Sequence, residues 1–329
     1  MTNLKTFGAP NGSRGRFAPS PTGPLHFGSL VAALGSYADA RAAGGSWLVR
    51  IDDLDRAREV PGAADDILRT LERFGLLWDE TVVYQRRRTD AYAQALGHLN
   101  EHGWTFPCAC SRSEIASLGR PGTEGPIYPG TCRNGLPAGR RPRSQRLRID
   151  DAQIAIDDRI HGHIVQQLAA DVGDFVLRRA DSTHAYQLAV VVDDAAAGID
   201  SIVRGADLLM STPRQVHLQR LLGLPQPNYA HLPVVVDDHG RKLSKTLSSA
   251  PVDPDHPLPT LLRVWRFLGQ APLPDTVDSV QTFWQQALPA WRLECVPRVR
   301  TLPLKAALIP TAEHRADSVT CPPLSQHGP

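Results

Sequence analysis

Three groups of side chains in this sequence are spaced to do chemistry. His26 stands in RFAPSPTGPLHFGSL, Arg16 to Leu30, followed by Gly28 and Ser29. A glycine there lets a ribose or base approach the backbone, and the amides at a helix start favour phosphate. His26 is placed to donate to a phosphoryl oxygen as charge develops in a transition state. Lys242 and Lys245 flank a serine in RKLSK, a pattern that neutralises pyrophosphate charge. Cys108, Cys110 and Cys132 form a Cys-x-Cys pair and a third thiol in one loop-rich segment, which favours a bound zinc over three buried small residues. Ligand chemistry alone makes His102 the ordinary choice for a fourth donor. Each group has a plainer alternative: a Pro-rich turn with an exposed histidine, or a solvated basic loop.

The elements that must hold these groups follow from periodicity. GRFAPS reads as a short strand, and Leu30, Ala33, Leu34, Tyr37 and Ala38 recur at helical spacing. Gly44 and Gly45 end that helix, SWLVRI is a strand, and DDLD falls at its carboxyl end. PGAADDILRTLERFGL is a second helix. Strand, helix, strand, helix predicts a parallel α/β sheet, whose ligands sit beyond the carboxyl ends of the strands. From about Phe106 to Arg148 no long period persists, which marks an insertion. The α/β pattern then resumes: AYQLAVVVDD and SIVRGADLL read as strands, and STPRQVHLQRLLG as a helix capped by Thr212 with Gln215 completing a capping box. HLPVVVDD is a strand leading into the basic loop. LPTLLRVWRFLG and VQTFWQQALPAW are further helices, before a Pro-rich tail that reads as disordered.

Composition limits the class. A chain of 329 residues has room for two or three domains, and a net charge of +2 excludes a globally basic nucleic-acid binder. Five cysteines in this length are no disulfide scaffold, and Cys295 and Cys321 read as incidental. No apolar run has membrane-spanning length and the N-terminus has no signal core, so a cytoplasmic protein with no membrane partner is expected.

Taken together, HFGS at 26–29 and KLSKT at 242–246 resemble the paired His-Ile-Gly-His and Lys-Met-Ser-Lys-Ser signatures of class I aminoacyl-tRNA synthetases. RIDDLD at 50–55 and VVVDDAAAGIDSIVRGADLLMSTPRQ at 190–215 narrow the resemblance to the glutamyl branch, over about Arg16 to Ser249. Fewer than ninety residues follow the basic loop, and the chain resembles most the short glutamyl-queuosine tRNA(Asp) synthetase family. The resemblance implies a Rossmann-like catalytic core at 1–105 and 184–250, split by a zinc-containing insertion at 106–183, with a short helical region and tail at 251–329. It assigns ATP to His26, Gly28, Ser29 and Lys245, and catalysis to His26, Lys242 and Lys245. It assigns L-glutamate to Arg16, Phe17, Ala18, Pro19, Ser20, Asp52, Tyr186 and Arg204. An α-amino group needs a carboxylate, and a carboxylate an arginine fork. The family usually carries Glu where this chain has Asp52. Plainer readings make Arg16 a surface charge, Tyr186 a core aromatic and Arg204 a partner of Asp207.

For the metal, the resemblance implies one structural zinc on Cys108, Cys110, Tyr128 and Cys132. It also implies Mg²⁺ with ATP, a monomer, and two steps: glutamyl-adenylate formation without tRNA, then transfer to the queuosine of tRNA(Asp). Six arginines from Arg133 to Arg148, with Arg86 to Arg88, are candidate phosphate contacts against a solvated-loop alternative. The other readings are a compact glutamyl-tRNA synthetase charging a 3′ end, a silent RNA-binding paralogue, and a small-molecule nucleotidyltransferase.

Overall fold

The computed structural model describes residues 12–242 and 250–307. Its first half alternates as predicted: β1 (Arg14–Phe17), α1 (Phe27–Ala42), β2 (Ser46–Ile51), α2 (Ala63–Arg73), β3 (Val83–Tyr84) and α3 (Thr89–Glu101). β1, β2 and β3 are parallel and adjacent in that order. SWLVRI is apolar almost throughout because β2 is central, with five of its six residues buried.

The insertion follows as β4 (Thr105–Cys108), α4 (Arg112–Leu118), β5 (Pro121–Gly122), β6 (Gly125–Pro126), β7 (Ser144–Leu147), β8 (Gln153–Asp158), β9 (Gly162–Gln167), α5 (Leu168–Asp171) and β10 (Val176–Arg178). β10, β7 and β4 make an antiparallel sheet, and β5–β6 a small hairpin. β8 and β9 pair with each other, and Asp158 at the end of β8 pairs with Tyr229 of the second half. This hairpin therefore joins the parallel sheet of the second half, although it lies inside the stretch assigned to the insertion by sequence.

The second half holds α6 (Tyr186–Ala196), β11 (Ser201–Gly205), α7 (Thr212–Leu221), β12 (Asn228–Leu232) and β13 (Val234–Val236). β11 and β12 are parallel, with Arg204 opposite His231. The two halves meet through Asp200, whose Oδ1 accepts from Arg14 N–H at 2.7 Å and from Ser13 Oγ at 2.8 Å. α8 (Pro257–Phe267), α9 (Val280–Ala290) and β14 (Thr301–Pro303) complete the described chain. α8 and α9 bury Leu261, Trp265, Phe283 and Trp284 in the same apolar cluster as α1. At about 1.5–3 kcal/mol per buried large side chain, these helices are part of the core. Gly35 lets α1 lie close to β12, since a Cβ there would meet Leu232 Cδ1 at 2.5 Å.

Two local predictions fail for identifiable reasons. AYQLAVVVDD is helix α6 and not a strand. A short apolar run buried on several sides looks alike in either state. In a strand the adjacent Asp193 and Asp194 would face opposite ways, yet both are buried here. Thr212 does not cap α7: the cap is Ser211, which makes no side-chain cap bond, and Thr212 and Gln215 are engaged elsewhere. Cys295 is not incidental, being disulfide-bonded. Among the described residues no helix is long and apolar enough to cross a membrane. The expected tail at 308–329 and Lys245 lie outside the described residues.

Candidate active site and thiol cluster

A cleft of about 190 Å³ opens where α1 begins, lined by His26, Gly28, Ser29, Gly205, Asp207 and Lys242 among others. His26 is the N-cap of α1, and its Nδ1 accepts from the Ser29 amide at 3.2 Å. Burial, and then the nearby Lys242 charge, lower its pKa, so the ring is neutral with Nδ1 as acceptor and Nε2 as donor. A Cβ on Gly28 would lie 3.1–3.2 Å from the His26 ring, so this glycine makes room for the imidazole itself. Lys242 Nζ pairs with Asp207 Oδ2 at 2.5 Å, which removes Asp207 as a partner for Arg204.

Behind the cleft lies a buried charge centre. Arg50 donates from Nε to Asp52 Oδ1 at 2.7 Å and from Nη1 to Asp194 Oδ1 at 2.6 Å. Arg16, far from being a surface charge, is buried and reaches both Asp194 oxygens at 3.2 and 3.3 Å. Asp193 accepts from Arg88 Nε at 2.5 Å, Tyr92 Oη at 2.7 Å and Gln85 Nε2 at 2.8 Å. Arg16, Arg50 and Arg88 thus face Asp52, Asp193 and Asp194, and the centre balances internally. Burial opposes the charge of Asp194, but Arg16 and Arg50 outweigh it and hold that carboxyl below its ordinary value. Burial wins at Asp52, whose pKa rises to about 6 against the pull of Arg50. Both Asp52 oxygens lie in the Arg50 fork, at 2.7 and 3.4 Å. Asp53 is also buried, accepting from the Arg86 amide at 2.8 Å.

Arg204 is built differently. It is buried on β11, donating from Nε to His231 Nε2 at 3.1 Å and from Nη2 to Thr212 Oγ1 at 2.8 Å and Gln215 Oε1 at 2.7 Å. All three partners are uncharged, and its Nη1 is buried without a partner. Among the described residues no carboxylate comes within ion-pair distance of it. Gln215 Nε2 continues to Gln187 Oε1 at 2.9 Å, beside Tyr186. Tyr186 opens helix α6, not a strand, and its half-buried ring packs on the second apolar cluster. Tyr229 feels the charges of Arg204, Asp194 and Arg16 together, so the two centres are neighbours. Phe17 stacks on Trp47 in the core, with ring centroids 6.3 Å apart. Ala18 and Pro19 are half-buried, Pro19 O accepts from the Asp52 amide at 2.9 Å, and Ser20 is exposed.

In the insertion, the sulfurs of Cys108, Cys110 and Cys132 lie within 4.8 Å of one another. The Tyr128 hydroxyl is 3.5 Å from Cys108 Sγ and 3.7 Å from Cys110 Sγ, and Cys110 and Cys132 Sγ are 3.7 Å apart. Tetrahedral bonds of about 2.3 Å to sulfur set thiolates about 3.8 Å apart, so the grouping of these three sulfurs suits a metal ion, with the Tyr128 hydroxyl beside them. His102 instead stacks on Trp104, with centroids 4.6 Å apart. Burial opposes the Cys108 thiolate, but its hydrogen bonds with Tyr128 and then Arg146 bring its pKa down to about 7. The β5–β6 hairpin is tied to α7, where Glu124 pairs with Arg214 and accepts from Ser211 Oγ at 3.1 Å.

Most of the candidate RNA-binding arginines are occupied. Arg133 binds Asp150 and Asp174, Arg140 binds Glu114, and Arg146 lies 4.1 Å above the Tyr128 ring. Arg148 donates to Arg133 O, Arg86 pairs with Asp53 and Glu59, and Arg88 with Asp193. Arg141 and Arg143 are exposed and free of ion pairs among the described residues, and Arg87 rests on Tyr84 at 5.1 Å. Sequence reasoning missed Arg50, Asp193, Asp194 and His231. Their signal was charge inside runs otherwise apolar enough to be buried.

The family model for the catalytic domain of class I tRNA synthetases (E and Q) matches residues 13–256. The chain belongs to that family. It is similar to the Glutamyl-Q tRNA(Asp) synthetase of Dechloromonas aromatica (strain RCB), 55% identical over 297 residues, which span 89% of this chain and 98% of that one. The protein of the same name from Aromatoleum aromaticum is 56% identical over 287 residues, 86% of this chain and 90% of that one. The fold matches a crystal structure of a glutamate tRNA ligase from Elizabethkingia meningosepticum in complex with its amino acid, with TM-score 0.72 and 23% identity over 90% of this chain and 68% of that one.

Proposed function

We propose that this protein activates L-glutamate with ATP, without tRNA, and transfers it to the queuosine of tRNA(Asp). The observation that carries the acidic substrate is Arg204, a buried cation with neutral neighbours and an unsatisfied Nη1. Leaving such a donor unpaired costs more than a typical hydrogen bond contributes, so the group suits a carboxylate ligand. The queuosine-bearing acceptor rests on the relatives' names and their near full-length match.

In the first step an α-carboxylate oxygen of glutamate forms a bond to the α-phosphorus of ATP, and the bond to the β-phosphate oxygen breaks, releasing pyrophosphate. His26 Nε2–H and Lys242 meet the phosphoryl charge, with Lys245 assigned the same task by its motif. Mg²⁺ accompanies ATP as counter-ion to its phosphates. In the second step a hydroxyl of the queuosine cyclopentene diol attacks the acyl carbon, the bond from that carbon to the phosphate oxygen breaks to release AMP, and the hydroxyl proton passes to the departing phosphate or to solvent. Arg16 through Ser20, Asp52, Tyr186 and Arg204 surround glutamate. Because Asp52 is folded into the Arg50 fork, glutamate's amino group draws on this centre only by sharing Asp52 with Arg50. One zinc on Cys108, Cys110, Tyr128 and Cys132 staples the insertion, supplying rigidity and no chemistry.

Labelled glutamate offered with tRNA(Asp), with and without queuosine, tests this reading. Label is expected only on the queuosine-bearing tRNA and is expected to survive removal of the 3′ terminal adenosine. Label on the terminal ribose would instead establish a compact synthetase charging the 3′ end.

A further inference from the structure

Asp158, His231 and Arg204 form a buried line, of which the reaction as described uses only Arg204. They come from three segments: the last residue of β8 and the penultimate residues of β12 and β11. His231 has no exposed surface. Its Nδ1 lies 2.6 Å from Asp158 Oδ2, and its Nε2 lies 3.1 Å from Arg204 Nε. An ionised carboxylate only accepts, so Nδ1 carries the proton and Nε2 presents a lone pair. A guanidinium Nε–H only donates, so it meets that lone pair correctly. The opposite tautomer would set N–H against N–H. Asp158 is itself fixed, since its Oδ1 accepts from the amides of His161 at 2.9 Å and Ile160 at 3.0 Å.

Arg204 has five N–H groups. His231 takes the one on Nε, and Thr212 and Gln215 take the pair on Nη2. The two on Nη1 are left without a partner in a buried position. Three fixed acceptors on two sides leave the guanidinium plane no freedom to turn. None carries charge: burial holds the His231 pKa down at about 4, so the ring stays neutral at ordinary pH. A carboxylate in place of His231 would orient Arg204 equally well but would also neutralise it. A neutral acceptor orients the cation and leaves its charge for a ligand.

We propose that His231, with its tautomer set by Asp158, is a positioning residue that aims the charged Nη1 of Arg204 at a carboxylate of the amino-acid substrate. This rests on the proposed glutamate-activating function. It adds a specificity device to it, because the aim of a fixed donor pair depends on a neutral ring two residues removed from the substrate.

Glutamate-dependent pyrophosphate exchange tests it, with KM measured separately for glutamate and ATP in the wild type and in His231→Gln, His231→Leu and Asp158→Asn. Thermal melting shows that each variant is folded. His231→Leu and Asp158→Asn are expected to raise the KM for glutamate about ten- to hundredfold, the order that a small misplacement of a binding group costs. The KM for ATP is expected to stay within about twofold. His231→Gln, which keeps an acceptor near the Nε2 position, is expected to recover much of the loss. A merely structural role would move both KM values together and give Gln no advantage over Leu, and either result overturns the proposal. If His231→Leu does not fold, the Gln and Asn variants decide. Wild-type protein that exchanges no pyrophosphate with glutamate would overturn the functional reading itself, a separate outcome from failure of the variants.

Discussion

Two buried arginine centres sit side by side in this protein and solve opposite problems. Around Arg50, three guanidiniums meet three carboxylates, and the charge is consumed within the fold. Around Arg204 the same side chain is held by His231, Thr212 and Gln215, and the charge is kept. The first arrangement ties β1, β2, α3 and α6 together. The second holds a cation ready at a cost to stability. Burial alone does not distinguish a structural arginine from one kept for a ligand. The charge of its partners does.

The largest effect that bears on this contrast is on stability. Arg50→Met removes one side of a buried network, leaving Asp52 without a counter-ion and Asp194 with Arg16 alone, which is expected to cost about 3–5 kcal/mol. Arg204→Met removes a cation with no counter-ion, so its melting temperature is expected to match or exceed that of the wild type while glutamate-dependent exchange is lost. Melting curves and exchange assays on the two variants check both. An equal loss of stability in both would end the contrast.

A smaller effect is the pH dependence. The folded pKa of His231 is about 4, below the ordinary 6.5, so between these values the unfolded chain takes up a proton that the folded chain refuses. This contribution is full above pH 6.5 and falls as the pH drops towards 4. His26, His184 and His217, also lowered by burial, act in the same direction, and exposed His256 opposes them. His231→Gln is expected to flatten the decline of the melting temperature over that range without abolishing it.

Smaller still is the cleft. Gly28→Ala sets a methyl 3.1–3.2 Å from the His26 ring, and a several-fold rise in the KM for ATP is expected, with the KM for glutamate unchanged. Smallest are the exposed arginines. Arg141→Ala and Arg143→Ala are each expected to lower the salt dependence of tRNA binding by about one unit of log–log slope. Arg133→Ala, which breaks ion pairs within the insertion, is expected to show mainly as lost stability.

The contrast also explains what the sequence made legible. β1, α1, β2 and α2 were readable because strand and helix periods are strong there and Gly and Pro mark their ends. The thiol cluster was readable because Cys-x-Cys with a third cysteine has few other uses, although Tyr128 entered only through resemblance. α6 was not readable, since its apolar run lacks a clear period and its two aspartates serve a buried centre. Thr212 and Gln215 carry a capping-box pattern, yet Arg204 claims both side chains. Long-range partners override local signals where a charge must be buried. Asp52, at the end of β2, was readable as a carboxylate but not as one taken by Arg50 two residues earlier.

Helix α7 has a further consequence. Its first turn is gripped from the insertion by Glu124 through Ser211 and Arg214, and from the sheet by Arg204 through Thr212 and Gln215. Five consecutive residues, 211–215, thus act as a common datum against which two separately built parts of the molecule are aligned. Misplacement of the hairpin on one side is transmitted within a single turn to the acceptors of the buried cation on the other. The setting of the buried cation's acceptors therefore depends on assembly of a segment that does not touch that cation itself.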